Sequence, residues 1–429
     1  MSELKAGVGL SRKWDAREAG REVAETALEK LEGEKPKFFL LFSTIHYEKY
    51  GGFQELLNGV WEVLPEGTPL IGGTVAGFMN NYGCFARGAT ALTVAYPNMD
   101  VAVGVGQNTK RNPRKAAREV IESLGTKKLC SDETKKLMVV LVSGPEAFYI
   151  PGLGQRKVLN EGFVSKQMMK FFSTSQYLFQ KGLGREDELF EELTKIFPDT
   201  HMVLGTTTDD YQGLRNYQFF GKEVLRNGVI ALLIFTQYSV DVQTTHGMKE
   251  TGKKFHITGL SRDGHIIFDI DHKPAREALL QILGWPEDLV DERTVAFTFP
   301  YYPISFRRGK KKIPVVIPGI IGDAIVTTCK VDKGEADIMT TSGYNLIQTI
   351  EKHVNAIPIR KPHFGIISAC MTILQTLGYK VESIRKILLD YFHSAPFLLI
   401  WCAGEGTYSP SKGSIYANMS LNSAIIGKE

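Results

Sequence analysis

Residues 65–77 read "PEGTPLIGGTVAG", and residues 198–210 read "PDTHMVLGTTTDD". The two stretches align without a gap: Pro198 lies over Pro65, Gly205 over Gly72 and Thr207 over Thr74. In each, an apolar run of strand length ends in glycine and threonine. Glycine there either permits a turn with positive φ or lets another group approach the backbone closely. One copy leaves those readings level. A second copy in the same surroundings points to a repeated fold.

The surroundings repeat as well. "KFFLLFST" (37–44) and "KLMVVLVSG" (136–144) are strands upstream of the two copies. Between strand and copy, Phe53, Leu56, Leu57, Val60, Trp61 and Leu64 stripe one helix, and Leu189, Phe190, Leu193, Ile196 and Phe197 stripe another. Downstream, "NGVIALLIFTQYSVDVQTTHG" (227–247) overlays "RGATALTVAYPNMDVAVGVG" (87–106) with one inserted residue. A fainter third pass runs through "FGIISAC" (364–370), a helix striped by Val381, Ile384, Ile387, Leu388, Tyr391 and Phe392, "PFLLIWCAGEG" (396–406) and "YANMSLNSAIIG" (416–427). The reading is an α/β protein: mixed sheets with packed helices, built from duplicated β-α-β-β units, two clear and a third fainter. The two clear units are expected to pack as pseudo-symmetric halves, with helices 53–64 and 187–197 in equivalent places.

Different material separates the second and third passes. "KKFHITGLSRDGHIIFDIDHKPAREALLQILG" (253–284) predicts a hairpin turning at Asp263-Gly264, then a helix from Pro274 to Gly284. A boundary near 245–253 divides the chain into 1–248, holding two repeats, and 249–429.

Composition bounds the function. With 51 Lys and Arg against 47 Asp and Glu, the net charge of +4 is too small for the length to imply nucleic acid or membrane. The start has no apolar core, and "VIALLIF" (229–235) falls far short of the ~20 apolar residues of a membrane span. Cys84, Cys130, Cys329, Cys370 and Cys402 contain no CxxC pair, which argues against disulfides and zinc and for a reducing cytoplasm.

The segments "FFLLFSTIHY" (38–47), "PLIGGTVAG" (69–77), "VLGTTTDD" (203–210), "IIFDIDHKPARE" (266–277), "IISAC" (366–370) and "CAGEG" (402–406) occur in the order of the FIST domain family, which the chain resembles from about residue 7 to 427. The order and spacing of these segments carry the match. The resemblance implies an N-terminal and a C-terminal FIST part and the sensing of a small molecule, with amino acids or their derivatives the usual proposal. Family members often carry an output module; this sequence shows none, so the resemblance implies a separate signalling partner protein. Two departures stand out. Ser143-Gly144 replaces the common Asp-Gly, and Ile373 stands where an arginine able to pair bidentately with a carboxylate is common.

Candidate ligand-binding residues follow from the strand ends. The free N–H groups and hydroxyls of Gly72, Gly73, Thr74, Gly205, Thr206 and Thr207 suit a carboxylate or phosphate. Asp209 and Asp210 suit an ammonium group or a cation, against the reading that adjacent carboxylates point two ways. Asp271 and Lys273 precede a helix start, where a carboxylate also stabilises as a cap. Cys370, Cys402, Gly404 and Glu405 end the strands of the third unit. The main pocket is expected between "GGT", "GTT" and "CAGE", closed by the C-terminal part. No catalytic residue, metal site or cofactor is expected. The rival readings are an enzyme using Cys370, Cys402 and Glu405, and a scaffold or nucleic-acid partner using "KRNPRKAAR" (110–118) and "RRGKKK" (307–312).

Overall fold

The computed structural model describes residues 3–125, 134–150, 154–159, 178–308 and 311–429. Cys130 and residues 309–310 of the second basic cluster lie outside the described residues. The fold is mixed α/β, and its frame is three six-stranded sheets with one common strand order.

The first sheet is built by β1 (Lys5–Ser11), α1 (Ala16–Glu29), β2 (Phe38–Ser43), α2 (Phe53–Trp61), β3 (Leu70–Thr74), the hairpin β4 (Phe78–Asn80) and β5 (Gly83–Phe85), and β6 (Ala89–Ala95). The same succession recurs as β7 (Asp100–Gln107), α3 (Pro113–Leu124), β8 (Lys135–Ser143), α4 (Glu186–Ile196), β9 (His201–Thr207), β10 (Gln218–Phe220), β11 (Glu223–Leu225) and β12 (Gly228–Thr236). It recurs again as β13 (Ser239–His246), α5 (Gly343–Asn355), β14 (Lys361–Cys370), α6 (Met371–Leu377), α7 (Val381–Phe392), β15 (Phe397–Cys402), β16 (Glu405–Ser409), β17 (Gly413–Ala417) and β18 (Ser420–Lys428). The third succession differs by the extra short helix α6 and by a long insertion before α5.

Each repeat keeps four strands and gives its hairpin away. The sheets run β1-β6-β2-β3-β10-β11, β7-β12-β8-β9-β16-β17 and β13-β18-β14-β15-β4-β5. The hairpin of the second repeat thus completes the first sheet, that of the third completes the second, and that of the first completes the third. In every sheet the two central strands are parallel (β2 with β3, β8 with β9, β14 with β15) and the donated hairpin joins antiparallel. The unit that the sheets use is therefore larger than β-α-β-β. It begins one strand and one helix earlier, and β6 and β7, successive in sequence, belong to different sheets. The sheets also cross the division at residue 248, since β13 pairs with β18 and β9 with β16.

Burial explains why these strands read as continuous apolar runs rather than alternating ones. Phe38, Leu40 and Phe42 of β2 point into a core shared with Leu137, Val139 and Leu141 of β8 and with Leu398 and Ile400 of β15. Phe39 and Leu41 face the other way, onto α1 and α2. The outer face of the second sheet is covered by α3 and α4, and that of the third by α5 to α7. Local signals set the helix ends: Asp15 caps α1 by accepting from Glu18 N–H at 3.0 Å, and Asn112 caps α3 with Pro113 at its first turn.

Two insertions leave the frame. One follows β8, between residues 144 and 185; the other follows β13, between 247 and 342. They meet in a nine-stranded sheet, in which Val158–Leu159 of the first insertion pairs with Gly319–Ile321 of the second. The hairpin expected at Asp263-Gly264 joins Lys249–Leu260 to Ile266–Ile270 in this sheet, and the helix Ala275–Leu283 ends on Gly284 in the left-handed conformation.

The glycines that opened the sequence reading sit where neighbours come close. A Cβ on Gly72 would stand 1.7 Å from the carbonyl oxygen of Leu41, and one on Gly73 would meet Thr207 Cγ2 at 2.5 Å and Tyr217 O at 2.6 Å. On Gly205 it would meet Cys402 Sγ at 3.0 Å. Gly72→Ala is therefore expected to lower stability by about 1–3 kcal/mol through forced backbone shifts. Urea titration of the variant beside the wild type checks this, and an unchanged midpoint refutes it.

Candidate functional site

The strand ends β3, β9 and β15 converge at the centre of the ring. Thr74 N–H donates to Tyr217 O at 2.9 Å, Tyr217 N–H donates back to Thr74 Oγ1 at 3.0 Å, and Thr208 N–H donates to Thr74 O at 2.9 Å. Thr206 N–H donates to Gly404 O at 3.0 Å, while Thr206 Oγ1 accepts from Ala403 N–H at 3.0 Å and Gly404 N–H at 2.9 Å. Thr207 Oγ1 donates to Asn216 Oδ1 at 2.9 Å. "GGT", "GTT" and "CAGE" are brought together, but several of their polar groups are bonded to one another. Gly72, Gly73, Thr74, Gly205, Thr206, Thr207, Cys402, Gly404 and Glu405 do not line the apolar cavity beside them.

That cavity, of about 110 Å³, opens beside this seam, between the ring and the two insertions. The ring supplies Thr208, Tyr211 and Gly213 after β9, Cys370 to Thr372 and Gln375 at α6, and Ala403 after β15. The first insertion supplies Glu146 and Lys157; the second supplies Val295, Pro300 and Val316–Pro318. The lining is mostly apolar, with a few convergent polar groups, as in small-molecule sites generally. Sequence reading had placed Cys370 at the site and missed Lys157, Tyr211 and Gln375. The signal available was length: the chain between β8 and α4 is much longer than its counterpart between β2 and α2.

Loop Thr208–Arg215 is held rigid from within. Asp209 accepts from the N–H groups of Gly213 at 2.7 Å, Leu214 at 2.7 Å and Arg215 at 3.2 Å. Tyr211, at φ +72°, reaches across to donate its hydroxyl to Met371 O at 3.2 Å. Asp210 turns away from the cavity. Asp271 and Lys273 lie on the surface of the insertion sheet, where Asp271 accepts from His256 N–H at 2.9 Å and Lys273 Nζ donates to Gln281 at 3.1 Å.

The charged groups divide into engaged and free. Glu146, 6% exposed, is met by Lys181, by Lys110 at 3.5 Å and by Asn216 Nδ2 at 3.2 Å. Lys157 Nζ has no hydrogen-bond or ion-pair partner among the described residues, and burial pushes its pKa down against the fields of Asp209 and Glu292. The thiols are inert as nucleophiles. Burial, then Glu405, pushes Cys370 up to about 12 and Cys402 well above its ordinary value, while burial keeps Glu405 itself protonated far above the usual carboxylate range. Among the described residues no group of three His, Cys, Asp or Glu is placed to hold a metal.

Part of each basic cluster is paired. Lys110 is buried against Glu146, Lys115 pairs with Glu119, Arg118 with Glu192, and Lys312 with Glu250 at 2.6 Å.

The family model of the FIST N domain matches residues 37–273, more than half of the chain. The protein belongs to the FIST family. FIST is a sensory domain family, and the matched stretch runs from β2 into the insertion sheet; residues 274–429 lie outside it. No curated protein matches the chain. Among solved structures, a cyanuric acid hydrolase from A. caulinodans is similar at 9% identity and a TM-score of 0.26, over 54% of this chain and 70% of that one. Among the described residues no helix is long and apolar enough to cross a membrane.

Two outcomes follow for this FIST protein. Asp209→Ala leaves three loop amides without their acceptor and is expected to cost about 1–3 kcal/mol, read by urea titration; Asp209→Asn, keeping an acceptor oxygen, should cost less. Glu186, behind the Lys110 and Glu146 pair, is raised by burial from 4.5 to about 8. An acid held protonated in the fold but ionised when unfolded loses stability as pH rises between those values. Glu186→Gln should therefore match the wild type near pH 4.5 and exceed it in melting temperature at pH 8. An equal or lower melting temperature of the variant at pH 8 refutes the assignment.

Proposed function

We propose that the cavity between the ring and the insertions is the sensory site of this FIST protein, and that it binds a small, largely apolar carboxylate and performs no chemistry. The observation that carries this is Lys157: an amine without a partner on a cavity whose walls are mostly apolar. A carboxylate supplies the missing partner, and the Gln375 amide, unbonded among the described residues, offers a second donor. A free amino acid also needs an acceptor for its ammonium, and the carboxylate on the lining, Glu146, is already met by Lys110, Lys181 and Asn216. Among amino acids and their derivatives, N-acylated ones and simple organic acids therefore suit the lining better than free amino acids. Ile373, where an arginine is common in the family, is buried in the core behind α6 and does not face the cavity. Lys157 takes over the anion-binding task from the opposite wall.

Tyr211 and the α6 segment it bonds span the cavity between ring elements, so occupancy changes how tightly loop Thr208–Arg215 is held. This is the route by which we propose that a separate partner protein reads the bound state. The protonated thiols of Cys370 and Cys402 offer nothing to an enzymatic reading.

A thermal-shift series over N-acetyl amino acids, short carboxylates and free amino acids tests the proposal. A ligand at a hundredfold excess over Kd stabilises by about 2.7 kcal/mol. The carboxylates without an ammonium are expected to raise the melting temperature of the wild type and to leave that of Lys157→Met unchanged. A shift that persists in Lys157→Met, or a series in which nothing shifts the wild type, overturns it.

A further inference from the structure

The three loops that follow the central strands β2, β8 and β14 are equivalent by topology. Those after β8 and β14 wall the cavity described above. The one after β2, Thr44–Tyr50, walls a second opening of about 310 Å³ on the other side of loop Thr208–Arg215. That loop is a shared partition: Thr208, Tyr211 and Gly213 face the first cavity, whereas Asp210, Gln212 and Leu214 face the second cleft.

The cleft contains a cation that nothing neutralises. Arg87 lies with its guanidinium carbon 3.6 Å from the centroid of the Trp14 ring, and it has no carboxylate partner among the described residues. Its Nη1 has no hydrogen-bond partner. Beside it, His46 Nδ1 is bonded to Thr44 Oγ1 at 2.8 Å, which leaves Nε2, also shielded from solvent, without a partner. The neighbouring carboxylates are largely engaged: Glu48 takes Arg215 at 3.0 Å and the Tyr217 hydroxyl, and Asp209 takes three amides. Asp210 remains, facing Lys49 and Arg215. Above these groups stand two aromatic rings that the fold leaves half in water, Trp14 at 51% and Tyr50 at 45% exposed, with centroids 4.7 Å apart. A guanidinium held against an aromatic ring keeps donors for a carboxylate, and half-exposed rings present a surface for a planar body.

We propose that this cleft is a second ligand site, distinct from the Lys157 cavity, for a planar aromatic carboxylate: the anion on the Arg87 guanidinium, the ring against Trp14 and Tyr50. It stands independently of the first site, because its residues other than the shared partition belong to the first repeat.

Calorimetric titration of the full chain with indole-3-carboxylate, indole and cyclohexanecarboxylate tests it. Indole-3-carboxylate is expected to bind saturably at one site, with indole and cyclohexanecarboxylate each weaker by about tenfold or more, since a bidentate charge-assisted contact and a stacking contact are each lost. Arg87→Gln and Trp14→Leu should each weaken binding by a similar factor, and Lys157→Met should leave it unchanged. Trp14 is half exposed, so its replacement tests the site without removing core, and melting temperature confirms that both variants are folded. Failure of the wild type to bind saturably, wild-type affinity in both Arg87→Gln and Trp14→Leu, or loss of binding in Lys157→Met overturns the proposal.

Discussion

The edges of β3, β9 and β15 govern everything else in this molecule. Each is one of the two central, parallel strands of its sheet, and without its hairpin it would be an edge exposing a row of unpaired N–H and C=O groups to water or to another chain. The chain closes all three with hairpins borrowed around the ring. Gln218–Phe220 lies on Ile71–Gly73, Glu405–Tyr408 on Met202–Gly205, and Phe78–Asn80 on Leu398–Ile400. None of the repeats completes its own sheet. The common core of inward-facing residues forms only when all three are present, so the repeats fold as one body although they are separable in sequence.

That closure uses up the strand ends. At these strand ends a side chain would be in the way: on Gly72 it would strike the Leu41 carbonyl of the neighbouring strand, on Gly73 the Tyr217 carbonyl at the start of the borrowed hairpin, and on Gly205 the Cys402 thiol of the third repeat. The threonines that follow bond across the seam. Residues whose types suit anion binding are consumed in holding the ring shut, and the largely apolar cavity lies outside them, among the loops. The two insertions exploit this. They carry Lys157 and the apolar wall to the rim of the seam, pack on the second sheet and enclose a cavity there.

The partition loop connects the seam to its surroundings. Asp209 ties it to itself, Tyr211 ties it to α6, and Thr208 N–H ties it to Thr74 at the ring centre. The segment is thus fixed at one end to the buried centre of the ring and faces a separate opening on each side.

The sequence by itself determined the elements and their kinship. Apolar periodicity located the helices 53–64 and 187–197, and continuous apolar runs located the doubly buried strands. The gapless match of 65–77 with 198–210 revealed that two stretches share one backbone task. These are legible because propensity, stripe and glycine placement are local. Only the tertiary structure decided which strand lies beside which, and therefore what the glycines are for. Pairing between Gly205 and Glu405, 200 residues apart, leaves no local trace. The same holds for the sites. Thr74 and Thr206 read as free donors because nothing in their neighbourhood accounts for them, yet their partners arrive from another repeat. Lys157 reads as one lysine among many until burial and the lack of a hydrogen-bond or ion-pair partner among the described residues single it out.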